Sequence, residues 1–142
     1  MVLIPDDHNV ARYCGPGTID DGRVSASAFL RGRGHPTLSV NDVNMAPGLT
    51  EAERLSATKQ MMLITLKPTG MLAVLPVRAI RLIEAAPKLD VIHDPVSSLD
   101  GRRNEAHCGV TNGPTEDADS LTNSVALALR DAVIAEVLVR DL

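Results

Sequence analysis

A chain of 142 residues with 44% apolar and 23% charged side chains is long enough for one self-standing core and has ordinary globular composition, which argues against a disordered chain. Eighteen acidic against fourteen basic residues argue against a general binder of nucleic acid or anionic membrane, while one Phe, one Tyr and no Trp exclude base-stacking platforms and aromatic cages. Two cysteines, a brief apolar start ended by Pro5, and no apolar run near the ~20 residues of a membrane span point to a cytoplasmic protein with reduced thiols.

Residues 1–49 are rich in Gly, Pro and Asp, which reads as loops and short strands, placed at Val10–Tyr13, Val24–Leu30 and Thr37–Val40. Asp20-Asp21-Gly22 and Arg31 to His35 read as surface loops. Thr50-Glu51-Ala52-Glu53 is a capping box, in which the Thr50 hydroxyl accepts from the Glu53 amide and Glu53 reaches back. Ala52, Leu55, Lys59 and Met62 share one face beyond it, so the pattern predicts a helix from Glu51 to about Leu66, stopped by Pro68 and Gly70. Met71 to Leu75 is a continuous apolar run between Gly70 and Pro76, the signature of a strand buried on both faces. Pro76 then opens a short helix carrying Val77, Ile80 and Ile83, which ends before Pro87. Leu89 to His93 reads as a strand, Val96 to Glu105 as a polar loop around Asp100-Gly101, and Ala106 to Thr111 as a last short strand. From Asp119 onward, Leu121, Val125, Leu129, Val133 and Val137 keep a four-residue rhythm that predicts a C-terminal helix.

Strands separated by helices predict a single α+β (or α/β) domain over residues 1–142, with a small mixed sheet packed by two longer helices and one short one.

The polar candidates are few: His8, Arg12, Tyr13, Cys14, Ser39, His93, His107 and Cys108. Cys14, His93, Asp94, His107 and Cys108 have zinc-binding donor types, but neither a Cys-x-x-Cys pair nor His-Glu-x-x-His occurs, and the adjacent His107 and Cys108 point to opposite faces of a strand. No metal or cofactor is therefore expected. Ser39 and Cys14 lack the setting of an activated nucleophile. His93 and His107, near strand ends, suit the acid and base of metal-independent phosphodiester cleavage, with Arg12 stabilising the developing charge. Arg31-Gly32-Arg33-Gly34-His35 places two fixed charges on a loop that suits a phosphate or an acidic partner, or simply a solvated turn. Arg102-Arg103 reads as a polar turn.

Taken in order, His8-Asn9-Val10-Ala11-Arg12-Tyr13-Cys14, Ala28-Phe29, Leu38-Ser39-Val40-Asn41, Ala73-Val74-Leu75, His93-x-Pro95 and His107 resemble a family of small uncharacterised bacterial proteins whose motifs have no assigned chemistry. The family looks like Leu-Ser-Val-Asn-Trp-Leu-Glu where this chain has Asp42-Val43-Asn44 after Asn41. The resemblance implies that His8, Arg12, Ser39 and His107 meet in one cleft. Two functions of different class are compatible with these residues. The first is an accessory or protein-interaction domain that binds another protein or itself, through the apolar C-terminal helix. The second is a small enzyme on a nucleotide or phosphoester, with His8, His93 and His107 as acid–base residues, Arg12 as anion binder and Ser39 as a polar orienter of the small-molecule ligand.

Overall fold

The computed structural model describes residues 2–30, 37–112 and 123–142. In chain order these form β1 (Asn9–Cys14), β2 (Ile19–Asp20), β3 (Arg23–Val24), β4 (Leu38–Asp42), α1 (Glu51–Met61), β5 (Met71–Pro76), α2 (Val77–Arg81), β6 (Asp90–His93), β7 (Val96–Ser97), β8 (Arg103–Asn104), β9 (His107–Thr111), α3 (Asn123–Asp131) and β10 (Ala135–Leu138). Six strands make one sheet in the order β10-β5-β1-β4-β9-β6. The class is α+β, as the sequence predicts, but every pairing in the sheet is antiparallel rather than mixed. The reason is an inserted strand: β4 and β5, joined through α1, run the same way, yet β1 lies between them and opposes both.

Cross-strand partners share a face of a sheet and successive residues alternate between faces. On one face Val10, Cys14, Val40, Met71, Leu75, Val91, Cys108 and Val110 form the main core with Ala126 and Leu129 of α3, Ile80 of α2, and Phe29. On the other face Ala11 and Val74 pack against Leu55 of α1, and Leu72 against Met62 and Val139. Residues Met71 to Leu75 are thus buried from both sides. Full burial of each such Leu contributes about 1.5–3 kcal/mol from apolar area alone. Outside β6, Ile4 and His93 exchange backbone hydrogen bonds with Val91 and Val2, so residues 2–4 line that edge.

Several elements depart from the sequence expectation. Within Val24–Leu30, only Val24 belongs to a strand; Ala26–Phe29 is a 3-10 turn that buries Ala28 and Phe29. Asp21 and Gly22 both have positive φ, at 50° and 74°, so the expected surface loop is the exposed turn of a tight β2–β3 hairpin. The helix from Glu51 ends at Met61, short of Leu66, because Met62 turns to extended backbone and its side chain enters the Leu72–Val139 cluster. Its capping box forms at Thr50, whose hydroxyl accepts from the Glu53 amide at 3.1 Å, while Glu53 takes the Leu49 amide. The C-terminal helix is the largest correction: it stops at Asp131, and Val137 lies in β10. The β-branched Val133 and Ile134 favour extended backbone, and the Ile134 amide already donates to Val74 of the sheet. Leu121 lies outside the described residues.

Candidate functional site

Polar side chains collect at one end of the sheet, where β1 begins, β4 and β6 end, and β9 begins. Leu38 and Val40 of β4 face the main core, so Asp42, two residues on, faces the same way and is 1% exposed. A carboxylate so buried needs partners. One oxygen, Oδ1, accepts from the Asn44 amide at 3.0 Å and caps the 3-10 turn Val43–Met45. The other, Oδ2, lies 2.8 Å from His8 Nδ1. A carboxylate only accepts, so in this contact Nδ1 is the donor and Nε2 is the nitrogen turned away from Asp42. His8 is anchored by its backbone, which accepts from the Val77 amide and donates to the Pro5 carbonyl, and its side chain is 26% exposed.

His93, His107 and Arg12 are bonded to backbone carbonyls. His93 Nε2 donates to the Glu105 carbonyl at 2.8 Å, and His107 Nδ1 to the Asp94 carbonyl at 2.6 Å. On the α1 face, Asn104 donates to Asn41 at 2.8 Å and accepts from the Ala106 amide, a buried pair that pins the start of β9. Arg12 does the same work for β1. The β1–β4 ladder holds only Val10 to Asp42 and Ala11 to Asn41; beyond them the Arg12 guanidinium takes over, donating to the Ser39 carbonyl at 2.7 Å and the Ala28 carbonyl at 2.5 Å. Burial lowers its pKa from the ordinary arginine value, against an opposing contribution from Cys14.

The register divides the expected cleft. Arg12 pairs across the ladder with Ala73, and His93 with Cys108, which are main-core residues, and His8 joins them through Asp42. Ser39 pairs with Gly109 and His107 with Asn41, one residue out of phase, on the opposite face. The sheet therefore separates His8 and Arg12 from Ser39 and His107. Tyr13, also on the Ser39 face, accepts from the Lys67 amide at 3.0 Å through its hydroxyl. Both thiols are buried: burial pushes Cys14 up to about 11, and burial together with the Asp42 charge pushes Cys108 up to about 12. Neither is a thiolate at neutral pH, the form required of a nucleophile or metal ligand. Among the described residues no three His, Cys, Asp or Glu side chains are grouped to hold a metal ion. The Arg31 to His35 motif lies outside the described residues. Residues Val96 to Glu105, expected as a loop, form the β7–β8 hairpin, with Arg102 paired to Asp100 in its turn and Arg103 of β8 paired to Glu105 just beyond it.

A second polar cluster sits under α2, where a depression of about 330 Å³ is lined by Arg81, Leu82, Ile83, Glu84, Ala85 and Lys88. Arg81 already pairs with Asp90 at 2.8 Å and Asp6 at 2.6 Å. Two carboxylates on one guanidinium leave little attraction for a further anion.

No protein-family model, curated protein or solved structure matches this chain. No described helix is long and apolar enough to cross a membrane.

Asp42 is the site residue that the motif reading misses. Its signal was present: the alternation Leu38, Val40 carries the buried phase of β4 onto a carboxylate, and a buried carboxylate implies a partner.

Proposed function

We propose that the protein is an accessory or interaction domain, binding another protein or a second copy of itself in the cytoplasm, and that it does not turn over phosphoesters. The observation that supports this most is the commitment of Arg12. Its guanidinium is bonded to two backbone carbonyls, the part-buried Ala28 carbonyl and the exposed Ser39 carbonyl, where a phosphoester enzyme would need that charge aimed at the substrate. Separation of His8 from His107 by the sheet argues the same way, since acid and base must reach one substrate. The partner surface is not the apolar stripe of α3, because Ala126 and Leu129 are buried in the chain's own core. Partner contact would fall to exposed apolar residues such as Leu127 and Ile134.

Sedimentation equilibrium over a wide concentration range, paired with amide-resolved NMR titration against nucleoside monophosphates, tests this reading. It predicts no saturable shift at His8, Arg12, Ser39, His93 or His107. Saturable nucleotide shifts focused on those residues, with hydrolysis of the ligand, would replace it with the phosphoester enzyme. That alternative has one observation in its favour, the His8–Asp42 pair.

A further inference from the structure

His8 differs from the other described histidines in what holds it. His93 and His107 each donate to a backbone carbonyl, with the half-exposed Asp94 carboxylate 3.9 Å from His107 Nδ1, whereas His8 bonds at 2.8 Å to a carboxylate that is 1% exposed and is fixed at its other oxygen by the Asn44 amide. A negative charge at Nδ1 raises electron density across the ring and stabilises the imidazolium character that develops when Nε2 bonds to an electrophile. Burial strengthens that effect by keeping water away from the carboxylate. Its backbone anchors to Val77 and Pro5 hold the ring in place, and about a quarter of the side chain, 26%, remains open to solvent. Orientation and activation are thus combined in one partly open side chain.

From this geometry we infer that His8 Nε2 is a nucleophilic site for neutral acyl electrophiles, with Asp42 as its positioning residue. The acyl class follows from charge. Asp42 is hydrogen-bonded to His8, and among the described residues no Lys or Arg is bonded to either member, so a phosphoryl dianion would meet the carboxylate field without a balancing cation. In the step, the Nε2 lone pair bonds to the carbonyl carbon and the carbon–oxygen bond to the leaving group breaks, the leaving group keeping the electron pair. The Nδ1 proton stays in its hydrogen bond to Asp42. Water then attacks the acyl-imidazolium and the carbon–nitrogen bond breaks, returning its pair to Nε2; one water proton stays with the released acid and the other passes to the leaving-group anion. This site stands independently of any protein partner.

The test uses the intact chain and diethyl pyrocarbonate, with the modification rate of each histidine followed by peptide mass spectrometry. His8 is expected to react about tenfold faster than His93 and His107, the lower end of what an orienting carboxylate contributes. Asp42→Asn is expected to remove that advantage while leaving the other histidine rates unchanged, and His8→Ala to abolish hydrolysis of p-nitrophenyl acetate above the background of free imidazole. A His8 rate within twofold of the other two, or one unaltered in a folded Asp42→Asn protein, overturns the inference. Should Asp42→Asn fail to fold, the side-chain nitrogen-15 spectrum of the unaltered protein decides. Protonated Nδ1 with unprotonated Nε2 supports the site; the reverse tautomer overturns it.

Discussion

The centre of the sheet and its polar end achieve burial by different physics. Along β5, Met71 to Leu75 are enclosed by α3 and its neighbours on one side and by α1 on the other, with apolar side chains throughout. At the end of β4, Asn41 and Asp42 are as inaccessible as those residues, at 7% and 1% exposure, but are tolerated only because each has a defined partner. Apolar burial is forgiving of the partner's identity; polar burial is not. The polar end is therefore where a side chain can be orphaned by a change elsewhere, and where an oriented reactive group can be held.

The largest effect should come from the apolar side. Phe29, the chain's only Phe and 1% exposed, packs in the main core, and Phe29→Ala is expected to lose about 3–5 kcal/mol in urea unfolding. A loss well under 1 kcal/mol would mean that the 3-10 turn Ala26–Phe29 does not close that core. Next is Arg12→Met, which keeps the apolar stem but removes the donors to the part-buried Ala28 carbonyl and the exposed Ser39 carbonyl; about 1 to 2 kcal/mol is expected, mostly as faster unfolding of the β1–β4 junction. An unchanged midpoint would break the comparison, since Arg12 would then be free for a ligand.

Alkaline pH sharpens it. The unfolded thiols ionise near their ordinary value of 9.0, while the folded protein keeps Cys14 protonated to about 11 and Cys108 to about 12. Between those values the unfolded chain binds fewer protons, so stability falls as pH rises, by at most about 1.4 kcal/mol per pH unit for each thiol, and is unaffected by them below pH 9.0. The slope should flatten in a Cys14→Ala, Cys108→Ala protein. Last, Thr50→Ala removes the hydroxyl that accepts from Glu53 and should cost about 1 kcal/mol, with no effect on the polar end.

How legible each region was in the sequence follows the same division. Met71 to Leu75 announced itself, because an apolar run between Gly70 and Pro76 has few readings, and Thr50-x-x-Glu53 marked the start of α1. The C-terminal segment misled because Val125, Leu129, Val133 and Val137 satisfy a four-residue rhythm while Ala135, Glu136, Val137 and Leu138 also alternate. Only the sheet's demand for a partner beside β5 chooses the strand. At the site, residue types were legible but their phase was not. Arg12 and Ser39 look like neighbours in a list of polar residues, yet strand register places their side chains on opposite faces, and register is set by long-range pairing that no local pattern encodes. Asp42 shows the converse, a residue legible only after β4 is given its buried phase.

The most direct test of this account follows the Arg12 Nε–H signal by nitrogen-15 NMR while inorganic phosphate is added. The account predicts slow proton exchange and no saturable shift, because that proton is held by the Ala28 carbonyl inside the fold. Rapid exchange with a shift that saturates in phosphate would contradict it and make Arg12 an anion-binding residue.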